Sequence, residues 1–193
     1  MVVKKTKKMK IVLIHGFNDI SGGGDNIDKT QPLFEALGYE VEKDDADYGY
    51  FSLWMVRFKK HSAVLRIIGA LKDADVVVTY SNGANYSMKA LKLINRRIVV
   101  IHCSPALNAK AKFPEAVSYA WVFHIKSDWT VWLAKLIPFS PWGNMGAVGY
   151  KGDNPIVTNV DFTDIAKFHG GMFKDEVVEY TVQKIDELIR SKK

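Results

Sequence analysis

Three side chains in this 193-residue sequence could supply a nucleophile, an acid and a base, and each follows a strand-like apolar run. Ser81 comes after Val76-Val77-Val78-Thr79-Tyr80 and before Asn82-Gly83-Ala84. A serine between a buried strand and a helix start sits on a tight turn with its hydroxyl pushed outward, and Gly83 and Ala84 let the helix approach the strand closely. The helix N-terminus then brings backbone N–H groups, and the positive end of its dipole, to the place where an oxyanion forms. A serine needs a base to take its proton, and the base needs an acid to hold its tautomer. Asp128 and His169 follow Ser81 in that order. On the sequence alone Ser81 also suits a simple helix N-cap. His102 is a rival base, and Asp153, Asp161 and Asp164 are rival acids.

The other reactive residues read more plainly. His15 reads as structural, His61 as part of a solvated helix face beside Lys59 and Lys60, and His124 as an inward-facing strand residue. Cys103 adjoins His102, but neighbours on a strand point to opposite faces, so they form no dyad. The five histidines have no metal-ligand spacing. Gly22-Gly23-Gly24 lacks the Gly-Lys-Ser/Thr ending of a P-loop and the spacing of a dinucleotide fingerprint, so it reads as a bend. No cofactor is expected.

The elements that must position these groups alternate. Short β-branched runs at 10–15, 39–43, 75–80, 98–102, 121–126 and 156–160 are separated by helical patterns. Asn26 or Asp28 is placed to cap a first helix ending near Gly38. Further helices are expected over 53–71, 84–94 and 175–189, the last with Val177, Val178, Thr181, Val182, Ile185, Leu188 and Ile189 on one stripe. Alternation of this kind predicts an α/β fold, a mostly parallel sheet of about six strands between two helical layers. The stretch 137–155 breaks the rhythm with three prolines, four glycines and Phe139, Trp142 and Tyr150, and reads as a lid or substrate loop.

The order Ser81, Asp128, His169, each after its strand, resembles the α/β-hydrolase family, whose triad runs Ser, Asp or Glu, His along the chain. His15-Gly16-Phe17 after the first strand is similar to the His-Gly segment preceding that family's oxyanion loop. Where the family carries Gly-x-Ser-x-Gly, this chain has Thr79 two residues before the serine. The resemblance implies a minimal, six-stranded, uncapped esterase or lipase-like member. It also implies an oxyanion hole from the backbone N–H groups of Phe17 and Asn82. The open site would be walled by the 137–155 loop and by aromatics, with Tyr50, Trp129 and Trp142 as substrate-binding candidates.

Composition bounds the rest. With 48% apolar and 25% charged residues, the chain reads as one soluble domain over 10–193 behind a basic tail at 1–9. The net charge of +6 comes from the ends. Setting aside five lysines in the first ten residues, together with Arg190, Lys192 and Lys193, leaves 19 basic against 21 acidic residues. The body is therefore slightly acidic, which argues against nucleic acid as a partner. One cysteine makes no internal disulfide and fits a reducing compartment. The apolar run at 11–14 is too short for a signal peptide, and no window reaches the roughly 18 apolar residues of a membrane span. The reading is a cytoplasmic serine hydrolase of a small ester with an apolar portion. A thioesterase, an amidase, an acyltransferase and a non-catalytic binding protein of the same fold stand as alternatives.

Overall fold

The computed structural model describes residues 8–16, 26–44, 52–137 and 140–192, with 52–61 described by their backbone alone. Six strands form one sheet: β1 (Lys10–Ile14), β2 (Glu40–Lys43), β3 (Val76–Tyr80), β4 (Ile98–Cys103), β5 (Val117–His124) and β6 (Val157–Asp161). Their order is β2-β1-β3-β4-β5-β6, and every neighbouring pair is parallel. Between and after them lie α1 (Gln31–Ala36), α2 (Ser52–Leu71), α3 (Gly83–Leu91), α4 (Trp129–Lys135), α5 (Met145–Val148) and α6 (Asp175–Arg190).

The strands are apolar throughout because the sheet is covered on both faces; every residue of β1 and β3 is buried. Alternate side chains serve different cores. Val12, Val77, Val100 and Val122 pack with Ala63, Ile67 and Leu71 of α2 and Leu91 of α3. Ile11, Val78, Ile101 and Phe123 pack with Phe34 of α1 and Val182, Ile185 and Ile189 of α6. Each large side chain removed from water here contributes roughly 1.5–3 kcal/mol, so the pattern alone selects three layers.

The sheet is wholly parallel among the described residues, within the α/β fold that the sequence predicts. Individual elements differ from their expected bounds. β5 begins at Val117, four residues early, because Ser118 and Tyr119 are only partly covered and interrupt the apolar run. The first helix starts as a 3₁₀ turn, Ile27–Thr30, without a side-chain cap from Asn26, and Gly38 follows it at φ +94°. α4 was not foreseen; it begins where the Asp128 side chain accepts from the Val131 N–H at 3.3 Å.

Within the 137–155 stretch, residues 143–147 and 149–150 are buried. Gly143, Met145, Gly146 and Lys151 donate backbone hydrogen bonds to Ala106, Leu107, Pro105 and Ala109 at 2.7–3.1 Å. At Gly146 the backbone lies so close to Ser104 that a Cβ would meet its carbonyl carbon at 2.6 Å. Residues 1–7 of the expected tail lie outside the described residues. Among those described, no helix is long and apolar enough to cross a membrane.

Candidate active site

The chain passes from β1 outward to β2 and returns to β3 on the other side of β1, so a crevice opens at the carboxyl ends of β1 and β3. Ligands bind at such reversals in open α/β sheets. Ser81 stands there in the left-handed region, φ +52°, which costs a non-glycine residue on the order of 1–3 kcal/mol. Its surroundings hold it in place. The Ser81 N–H donates to the Cys103 carbonyl at 3.0 Å, and its own carbonyl accepts from Ala106 at 3.1 Å and Ala84 at 3.3 Å. α3 then leaves so close to β1 that a Cβ on Gly83 would collide with the carbonyl oxygens of His15 and Ile14. Only glycine fits.

His169 arrives from the segment between β6 and α6, its ring 4.9 Å from that of Tyr80. Its Nδ1 lies 2.7 Å from Asp128 Oδ2 and its Nε2 2.8 Å from Ser81 Oγ. Against a carboxylate, Nδ1 must be the donor, which leaves Nε2 of the neutral ring to accept the Ser81 hydroxyl proton. Asp128 is fully buried, and the α4 N-terminus that it caps fixes its other oxygen.

Two of the rivals are engaged elsewhere. Asp161 pairs with Lys126 at 2.7 Å and accepts from Thr163, and Lys126 first of all holds its carboxyl well below the usual range. His102 is fully buried, and its Nδ1 lies 2.6 Å from Thr79 Oγ1 on the neighbouring strand. Burial lowers its pKa to about 3. Thr79 and His102 are direct partners in the β3/β4 register, so Thr79 binds sideways across the sheet. Cys103 is buried on the other face, and desolvation pushes its thiol up to about 12. Among the described residues no three His, Cys, Asp or Glu side chains group as a metal site requires.

A cleft of about 590 Å³ opens at Ser81 and His169. Trp129, Val131, Leu133 and Ala134 of α4 form one wall, and Ile137 and Trp142 form another. Asn82 lies beside the serine with its Oδ1 accepting from Trp142 Nε1 at 2.7 Å and from Asn85 at 3.2 Å. The structure thus brings Ser81, Asp128, His169, Asn82, Trp129 and Trp142 together. Phe17 and Tyr50 lie outside the described residues.

Sequence reading named Trp129 but missed the helix α4 that carries it and the rest of that wall. The available signal was Asp128, a good N-cap, ahead of Trp129-Thr130-Val131-Trp132-Leu133. It also missed the Thr79–His102 pair, which strand register creates and no local pattern announces.

No protein-family model matches this chain, and no curated protein sequence matches it. Solved structures do share its architecture. One is of a candidate hydrolase of the α/β superfamily from Xanthomonas campestris pv. campestris. It is similar with a TM-score of 0.53 over 95% of this chain and 99% of that one, at 15% sequence identity. The likeness is one of fold: this chain carries an α/β-hydrolase-type architecture, six parallel strands between two helical layers.

Proposed function

We propose that the protein is a serine hydrolase that cleaves a carboxylic ester through an acyl-enzyme on Ser81. The observation that carries this reading is the continuous hydrogen-bonded line from Asp128 through His169 to Ser81, ending at an open apolar cleft. In the reaction Ser81 Oγ bonds to the acyl carbon while its proton passes to His169 Nε2. The carbonyl oxygen becomes an oxyanion beside the N-terminus of α3, where the Asn82 N–H serves as donor. Collapse breaks the bond to the leaving alcohol, which takes the proton from His169. Water then repeats the sequence, giving its proton to His169 and its oxygen to the acyl carbon. Free acid leaves and Ser81 recovers its hydrogen. The Asp128 carboxylate stabilises the imidazolium.

The cleft supports an ester with an uncharged, apolar acyl portion, since no Asp, Glu, Lys or Arg is among the described residues that line it. Turnover of matched ester, thioester and amide substrates, with and without an added alcohol acceptor, ranks the leaving group and acceptor.

The decisive test is reaction with a fluorophosphonate followed by mass mapping. Labelling is expected on the Ser81 peptide and should disappear in a folded His169→Ala variant. A folded wild-type protein that takes no label would instead be a binding protein that keeps only the fold.

A further inference from the structure

α4 carries a second feature that the proposed chemistry does not use. Trp129 is 74% exposed, Leu136 just beyond it 73%, Leu133 60% and Trp132 43%. These side chains surround a shallow hollow of about 450 Å³ on the outer side of α4, and Trp129 and Leu133 border both this hollow and the cleft at Ser81. The apolar surface therefore runs without a break from the outside of the molecule to the nucleophile. A concentrated patch of this kind on a water-soluble fold marks a surface that something covers.

The charges around the patch say what covers it. Lys135 Nζ lies 5.8 Å above the Trp132 ring, and Lys174 Nζ lies 4.7 Å above the ring of Phe168, which is itself exposed. Among the described residues neither lysine has a carboxylate partner. Lys126, in the hollow itself, is paired with Asp161. Among the described residues no carboxylate lines either hollow. Ser127, also in the hollow, donates to the Lys167 carbonyl at 2.8 Å, which brings the chain leading to Phe168 and His169 against it. Tryptophan and leucine with lysines at their margin match the boundary between acyl chains and anionic headgroups. A second copy of the chain seated here would cover Trp129 and Leu133 and so block the path to Ser81. A lipid layer would supply that path.

We propose that α4 and the exposed edge around Phe168 seat the protein on an anionic lipid surface and pass an amphiphilic ester from it into the cleft. The second half of this statement rests on the hydrolase reading; the first does not.

The test uses the full-length Ser81→Ala chain, so that binding is read without turnover, in flotation with vesicles of phosphatidylglycerol or of phosphatidylcholine. Binding is expected to phosphatidylglycerol vesicles, to weaken with added salt, and to exceed binding to phosphatidylcholine. Adding Trp132→Asp and Leu136→Asp should weaken it about tenfold or more, since two exposed apolar contacts are removed. In the chain with Ser81 intact, the same pair should leave fluorophosphonate labelling and turnover of a dissolved short-chain ester unchanged, because neither residue lines the cleft. No binding to phosphatidylglycerol, equal binding to both lipids, or binding indifferent to the paired substitution overturns the proposal. So does a dimer in light scattering that the pair breaks, which would give the patch to a second copy. Vesicle binding without labelling at Ser81 would overturn the hydrolase reading and leave the surface standing.

Discussion

At the carboxyl end of β3 two hydroxyl–histidine pairs stand two residues apart, and their surroundings differ. Thr79 meets His102 at 2.6 Å and Ser81 meets His169 at 2.8 Å. In the first pair the ring is fully buried, its Nε2 has no partner, and desolvation drives its pKa down to about 3. In the second the far nitrogen faces Asp128, and the near one faces a hydroxyl at the edge of an open cleft. A strained backbone does not make the difference either. Ser104, one strand over at φ +43°, is as unusual as Ser81, yet its Oγ is buried and has no hydrogen-bond partner. A histidine beside a hydroxyl becomes a base only when a third group stabilises its charge and a substrate can reach the pair.

The sharpest way to break this comparison is to disable the second pair. Ser81→Ala, His169→Ala and Asp128→Asn should each lower ester turnover by about 10³-fold or more. Circular dichroism should show intact folds. Retention of wild-type turnover by Asp128→Asn would remove the distinction drawn from that carboxylate.

The first pair should appear in stability and its pH dependence rather than in rate. His102 is neutral in the folded chain down to about pH 3, whereas in an unfolded chain it takes a proton near 6.5. The unfolded state therefore binds more protons between these values. Stability is full above about pH 6.5 and falls as the pH drops toward 3, by on the order of 4 kcal/mol. Urea unfolding across that range should show the slope, and His102→Gln should flatten it.

Thr79→Val keeps the shape and removes the hydroxyl, leaving both ring nitrogens of His102 buried without partners. A loss of about 1–3 kcal/mol in denaturant unfolding is expected, with labelling at Ser81 retained. The smallest effect belongs to Ser104→Ala. Removing an unpartnered buried hydroxyl should leave stability within about 0.5 kcal/mol of wild type or raise it, and should leave turnover unaltered.

The sequence by itself determined the parallel sheet, its two faces and the order in which the reactive groups follow the strands. These follow from local patterns: β-branched runs, the stripe on α6, and a serine between strand and helix. Period and composition express them residue by residue, so they are legible without contacts. Tertiary structure alone decided which histidine and which aspartate reach Ser81, because those choices depend on distances across 41 and 88 residues of chain. It also decided that Thr79 belongs to His102, through strand register, and that most of 143–150 is buried, through backbone bonds to 105–107. The exposure of α4 belongs with these, since an apolar side chain looks the same in the sequence whether the fold buries it or leaves it at the surface.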